Sequence, residues 1–481
     1  MKTARTALCL VPLICSSLCY AQENENVKAP SAQCVQTSAG SADRENERNK
    51  FERSRDRWVE TSQLTPGGGG IFGISDIRLA MDKDGDTLAM GERTVDIDGN
   101  VKEGAVFIFR KHEGTFKRVA ELTASDGVAI GLFGIVGMSC DGKTIVVGAE
   151  NSASANLDQG SAYIFVEPEE GWRNMTETAK LTASDGQSGD GFGNAVAVGC
   201  QSGTVFIGAL FAPADLTNSL LGPGAVYVFH RPRHGWETTS HFSAKLTASD
   251  GLALDAFGAS LSVSSDAATL LVGAPNAPFD SSTSIPGLGA AYLFVRPDGG
   301  WTTTTETAKL TGSDTAGIQY GFGTSIALDG DGKIALVGAP NPPPGSGLGA
   351  IFVFVKPVGG WVSSTGSTKL TASDGEPNDG FGSSVAIAGD DDEVFVGALG
   401  YPFNLATQTR GSGAVYVYDR PRDGWTSTSE FQQKLIPTEV DVVDFSDNIA
   451  LGKQTLAVGS PLSPASNVAK VDIFEKRHDE H

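Results

Sequence analysis

The stretch from Phe381 to Leu399, FGSSVAIAGDDDEVFVGAL, constrains this chain more than any other, because close variants of it begin at Phe72, Phe133, Phe192, Phe257, Phe322 and Phe445. In each copy an aromatic residue opens a short alternating strand, an acidic or Gly-rich turn follows, and a second apolar strand ends in Gly-Ala or a variant of it. The copies start 59 to 65 residues apart. A fixed period of that size marks a repeat architecture, in which each unit buries its apolar face only by stacking on its neighbours. A chain of 481 residues would by length alone divide into two or three domains, yet it reads here as one array.

Each repeat lays out as four strands. In the fifth, strand a is Gly323 to Leu328 (GTSIAL), b is Ile334 to Gly338 (IALVG), c is Ala350 to Val355 (AIFVFV) and d runs from Trp361 to Leu370. Alternation suits a half-buried strand; an unbroken apolar run suits one covered on both faces. Strand c recurs as GAVFIF from Gly104, GSAYIF from Gly160, GAVYVF from Gly224, GAAYLF from Gly289, GAIFVF from Gly349, GAVYVY from Gly413 and AKVDIF from Ala469. Strand d is predicted to start at Trp172, Trp236, Trp301, Trp361 and Trp425, with Phe116 in the Trp position of the first repeat. Four strands per unit, repeated radially, predict an all-β fold, a seven-bladed β-propeller of four-stranded antiparallel blades. Trp58 opens a further strand d, RWVETSQLT, before any strand a has appeared, while the seventh repeat supplies a, b and c and then stops. The expectation is that this N-terminal strand completes the last blade and so removes its open edge.

The pattern resembles the FG-GAP repeat family, whose best-known members are the seven-bladed propellers of integrin α subunits. Phe-Gly at 72, 133, 192, 257, 322 and 381 matches the first half of that motif; Gly273-Ala274-Pro275 and Gly338-Ala339-Pro340 match the second half fully, and Gly148-Ala149, Gly208-Ala209 and Gly397-Ala398 in part. The KLTASDG linkers at Lys180, Lys245 and Lys369 resemble the short-loop version found in secreted bacterial FG-GAP proteins. The resemblance implies a fold and leaves function to the loops. It also implies calcium, held in integrin-type blades by an acidic loop between strands a and b. Asp82, Asp84 and Asp86 are the best match to that loop, with Met90 standing where a further carboxylate is expected; Asp329 to Gly332 and Asp390 to Asp392 are shorter, and Asp-Gly turns are also the ordinary way to join two strands.

The N-terminus carries Lys2 and Arg5, an apolar run from Ala7 to Leu18, and Ala21 before Gln22, the pattern of a secretory signal peptide over residues 1–21 with cleavage after Ala21. Ile14 and Leu18 precede Cys15 and Cys19, where lipidation needs a small residue. Residues 22–56 form a polar leader too poor in large apolar groups to fold, 57–477 the propeller and 478–481 a tail. The expected product is secreted, or held at the cell surface or in the periplasm, as a monomer with no transmembrane segment. A net charge of -21 repels phosphate backbones and excludes nucleic acid as a partner. Of six Cys, Cys34, Cys140 and Cys200 lie beyond the signal. Cys140 and Cys200 occupy nearly equivalent places in adjacent repeats, and read either as a disulfide or, in the plainer reading, as two buried thiols.

Two features point at the loops. Asp126, Asp185, Asp250, Asp314 and Asp374, each preceded by Ser, recur in the d-to-a connections and ring one end of the propeller. They read as Asp turns that bond their own backbone, or as a ring of negative charge facing a cation. The b-to-c connections vary most and lie at the same end, so Phe211, Phe279, Tyr320, Tyr401 and Phe403 are the candidate ligand-face aromatics. His112, His230, His234, His241, His478 and His481 do not converge on that end, and no nucleophile, zinc or phosphate-cradling motif occurs. The expectation is a non-catalytic binding or adhesion protein that holds an extracellular protein or polysaccharide. The alternative is a polysaccharide-acting enzyme that uses two loop-face carboxylates as acid and base.

Overall fold

The computed structural model describes residues 56–66, 77–97, 99–151, 159–201, 203–212, 222–277, 287–313, 321–340, 348–366, 368–389, 393–401, 411–438, 444–460 and 469–478. The signal peptide, the leader up to residue 55, Phe72, Asp314 and Asp390 to Asp392 lie outside them. Among the described residues there is no helix, and the strands form seven separate sheets. In sequence order the first blade is Ile77–Met81, Thr87–Glu92, Ala105–His112 and Thr115–Thr123, and the others repeat its a-b-c-d order. Every strand a packs beside strand a of both neighbouring blades, which closes the sheets into a ring.

Strands b carry the unbroken apolar runs and are buried along their whole length in most blades, as in Thr144–Ala149 and Ile334–Ala339. Among the described residues each Phe of a Phe-Gly pair is buried and packs edge-on against an aromatic of its own strand c, with ring centroids 5.4 Å apart for Phe133 and Tyr163, Phe257 and Tyr292, and Phe381 and Tyr416. Such pairs contribute about 0.5–1.5 kcal/mol beyond their buried area. The glycines set the spacing between blades. A Cβ on Gly148 would overlap the Gly193 carbonyl oxygen of the next blade, and the same opposition joins Gly91 to Gly134, Gly208 to Gly258, Gly273 to Gly323 and Gly338 to Gly382. The Gly before each strand c adds a second contact: Gly160, Gly224, Gly289 and Gly413 bridge in parallel to Phe192, Phe257, Phe322 and Phe445.

The predicted strand d needs correction. In blades 2 to 6 it is short, Ala179–Leu181 in the second and Thr368–Leu370 in the fifth, and the Trp lies well before it. Trp172, Trp301 and Trp361 are buried, and each donates its indole N–H to a carbonyl of its own a–b turn, on Gly142, Ala267 and Gly332 at 3.1 Å. The Ser/Thr-rich run after the Trp belongs to the neighbouring sheet. Met175–Thr176, Thr304–Thr305 and Ser364–Gly366 pair in parallel with strand d of the preceding blade, and Thr239 and Thr428 bridge to Leu181 and Leu370. Side chains finish the edge: Lys180, Lys245, Lys309 and Lys369 donate their backbone N–H to the hydroxyls of Thr238, Thr303, Ser363 and Ser427 at 3.0–3.1 Å. The outer edge that would template aggregation is thus covered by the next repeat. Blades 1 and 7 have long outer strands, Thr115–Thr123 and Asp56–Leu64, which include Phe116 and Trp58; both carry a β-bulge at the equivalent residue, Val119 and Thr61.

The closure expected from Trp58 is present. Asp56–Leu64 pairs antiparallel with Lys470–His478 as the outermost strand of the seventh sheet. At the a–b turns a second ring of contacts links the blades: Lys453 N–H to Lys83 O, Lys83 N–H to Cys140 O, Cys200 N–H to Ser265 O and Ser265 N–H to Gly330 O. Between blades 2 and 3 the link is covalent, since Cys140 and Cys200 form a disulfide with Cα atoms 4.5 Å apart. The buried-thiol reading is therefore replaced: the a–b turns of adjacent blades approach closely enough for their tips to be bridged.

Gly148→Ala should lower stability by about 3 kcal/mol in denaturant unfolding, because overpacking against backbone cannot relax. Gly299→Ala, with nothing near the new Cβ, should stay within about 0.5 kcal/mol. Deleting residues 57–65 should expose the strand c edge of the seventh blade and appear as oligomers in light scattering; a monomer of unchanged Tm would contradict the closure.

Candidate functional site

The register places the d-to-a linkers and the b-to-c connections at one end of the ring, because strand a starts where strand b ends (Phe133 opposite Ala149) and strand c starts where strand d ends (Ala162 opposite Leu181). Among the described residues each Ser-Asp of the linkers meets the following blade. Asp126 accepts from the Tyr163 hydroxyl at 2.9 Å and from Lys180, whose ammonium lies 5.2 Å from the centre of the Tyr163 ring. Asp250 does the same with Tyr292 and Lys309, and Asp374 with Tyr416 and Lys434; Asp185 pairs with Lys245 at 2.7 Å. Burial alone would raise the Asp126 and Asp374 carboxyls; the hydrogen bonds from Lys and Tyr overcome it and hold both below the usual carboxylate range. Tyr292 and Tyr416 are pushed upward by burial and by the same Asp. The cation faced by these carboxylates belongs to the chain itself, so the linkers are rigid clasps from blade to blade.

A second Asp closes three of these linkers, and Gly131 stands in its place in the first. Asp190, Asp255 and Asp379 are buried, accept the backbone N–H of Gln187, Leu252 and Glu376 at 2.7 Å, and offer their carbonyls to Phe211, Asn276 and Gly400 at the base of the b-to-c connections. Burial pushes Asp190 and Asp255 up to about 6. Asp190, Asp255 and Asp379 recur in phase with the same backbone partners, which is the behaviour of a packing device.

Of the candidate aromatics, Phe211 is half-buried at the base of its connection. Tyr401 is half-buried as well, and its ring stacks with the Lys434 ammonium 3.9 Å from its centre while its hydroxyl donates to Asp374 at 3.3 Å. Tyr401 therefore extends a clasp. Phe279, Tyr320 and Phe403 lie outside the described residues. At the opposite end, the Asp82 carboxylate caps its own turn, accepting the N–H groups of Gly85, Asp86 and Thr87 at 2.8–3.0 Å, while Asp84 and Asp86 are exposed. Among the described residues no group of three or more His, Cys, Asp or Glu is arranged to hold a metal ion.

Sequence reasoning missed where the ring departs from its own repeat. Glu92 stands at the end of strand b where the other blades have Ala or Ser; it is buried, one carboxylate oxygen has no hydrogen-bond partner, and burial raises it to about 7. Arg93 and Glu150 follow in the place of Leu or Pro, form an ion pair between blades 1 and 2, and are joined by Asn194 of blade 3 at 3.5 Å. The linkers differ too. Ile130 and Leu254 hold φ of 63° and 70° at the position where the other linkers have Gly189 and Asn378 (φ 84° and 72°), and Leu132 and Ala256 (54° and 60°) stand in for Gly191 and Gly380. A left-handed non-Gly residue costs about 1–2 kcal/mol, and a β-branched one is an outlier. Ile130 and Leu254 are nevertheless 57% and 52% exposed. Comparing the seven linkers residue by residue would have found both.

Five segments, residues 116–165, 175–229, 241–294, 304–354 and 365–418, match the model of the FG-GAP repeat. A comparison with curated proteins found no match. Among solved structures the chain is similar to the Kuenenia stuttgartiensis hydrazine synthase, at 13% identity and a TM-score of 0.53 over 88% of this chain and 98% of that one, a likeness of fold alone. The Dos1 propeller is similar at 13% identity and a TM-score of 0.47, over 83% and 78% of the two chains.

Because Glu92 is raised in the folded state, the native protein binds its proton more tightly than the unfolded chain, and stability falls as pH rises from about 4.5 through 7. Glu92→Gln should therefore stabilise the protein at pH 8, by up to about 3 kcal/mol, and leave it nearly unchanged at pH 4, as read by Tm across that range.

Proposed function

The chain belongs to the FG-GAP repeat family, and from that premise we propose that it is a secreted or surface-held binding protein that recognises an extracellular protein or polysaccharide with the loop end of its ring. The observation that carries this reading is the contrast between the two kinds of side chain at that end. The carboxylates and tyrosines are fixed in clasps, whereas Val101, Ile130, Leu252, Leu254, Leu348 and Ile436 are exposed to water. Rigid clasps give the variable connections a preorganised frame, and ordering them on contact costs little further entropy. The signal-like N-terminus supports secretion, and the Cys140–Cys200 disulfide suits an oxidising compartment.

The reading is non-catalytic and monomeric. Asp126, Asp250 and Asp374 are each held by a Lys, and their neighbours Asp190, Asp255 and Asp379 are buried under the linkers, so neither set offers an acid and a base to one substrate. Incubating the purified protein, with and without calcium, with envelope and matrix material from its source should retain an intact macromolecule. Retained polymer that comes back shortened would instead make this an enzyme, and retention of nothing would remove the binding reading.

A further inference from the structure

Four d-to-a linkers are of equal length and superimpose residue for residue: Asp126 to Phe133, Asp185 to Phe192, Asp250 to Phe257 and Asp374 to Phe381. They alternate in character. Gln187-Ser188-Gly189 and Glu376-Pro377-Asn378 are polar, with residues that accept a left-handed backbone readily. Val128-Ala129-Ile130 and Leu252-Ala253-Leu254 are apolar at the same places, and their last residue is both left-handed and half or more exposed. Two costs thus fall on one residue, and they fall on it twice. Neither is recovered within the chain, because a side chain in water contributes no packing.

We propose that Ile130 and Leu254, with Val101 and Leu252 beside them, are the apolar anchors by which the loop end holds a protein partner, through apolar side chains flanked by Lys or Arg. The proposal rests on the loop end being the binding surface. The local frame makes the patches places rather than isolated side chains: Ile130 N–H donates to Val101 O at 2.8 Å, and Leu254 N–H to Gly222 O at 3.1 Å, which ties each anchor to the adjoining b-to-c connection. Gly222 N–H in turn donates to the Phe211 carbonyl, which closes that connection at its base.

The charge around the patches selects the sign of the partner. Beside Ile130 stand Asp126 and Glu177 against Lys180, and beside Leu254 stand Asp250 and Glu306 against Lys309; Glu177 and Glu306 are fixed by Ser125 and Ser249. Near the first patch the Asp96 carboxylate accepts the backbone N–H of Lys102, which adds one acid and one base. Asp255 adds a further carboxyl next to Leu254, so acids outnumber bases around each anchor on a chain of net charge -21, which favours a cationic partner and speeds its encounter.

The test uses the full chain and the double variant Ile130→Gly/Leu254→Gly, with a labelled synthetic peptide that alternates leucine and lysine. Matched serine–lysine and leucine–glutamate peptides serve as controls. The leucine–lysine peptide should bind the native protein best, and the double variant should bind it roughly tenfold or more weakly while its Tm is unchanged or raised, since glycine relieves the backbone. Equal binding of the leucine–lysine and serine–lysine peptides, undiminished binding by the variant, or a Tm lowered by several degrees would each overturn the proposal. If matrix material is captured equally by native and variant protein, or the captured partner is a polysaccharide, the loop end remains a binding surface and these anchors are not its means.

Discussion

The approach of glycine to glycine between neighbouring blades is the constraint on which the rest of the structure depends. Where Gly148 meets the backbone of Gly193 there is no room for a methyl group, and the same holds at four further interfaces among the described residues. That distance fixes how closely two twisted sheets can stack at their inner strands. At the sixth interface Gly397 meets the backbone of Ser446, and contacts between neighbouring strands a carry the sheets through a closed circle. The Phe beside each glycine fills the wedge that opens outward, and the Trp seals the apolar interior at the far end by bonding to its own turn. Burial of strands b and c supplies the free energy, while the glycines supply the geometry.

The linkers show how a repeat can be stable without being self-sufficient. Asp126 is fixed by Tyr163 and Lys180 of the following blade, and the outer strand of each of blades 1 to 5 is finished by residues of the blade that follows. No blade keeps all its hydrogen bonds to itself. Cooperativity of the ring follows from this exchange, since loosening one blade strips an edge or a carboxylate from another.

Much of this was legible in the sequence, and the parts that were not share a cause. Phe-Gly, Gly-Ala and the apolar runs announce the blades because their periodicity reports burial within one repeat. The start of strand d was misread because the hydrogen-bond partners of Thr304 and Thr305 lie in the preceding repeat, and a strand pattern does not say whose strand it joins. The Asp series was seen, and Lys180, Lys245 and Lys369 were read with it as one linker motif, but the Lys that holds Asp126 or Asp185 comes from the following linker, which the motif does not say. The search for ligand contacts went to aromatics in the variable connections and passed over Ile130 and Leu254, whose cost lies in a backbone angle that composition does not display.

The completion of the seventh sheet by the strand Asp56–Leu64 has a further consequence. Asp56 stands opposite His478, so the chain enters and leaves the ring side by side, at the end of the sheets that carries the a–b and c–d turns. Whatever is joined to the ring through either residue departs from the side remote from the linkers. A tether, a fused domain or an immobilising tag attached there would hold the molecule like a cup by its foot, with its open rim presented outward.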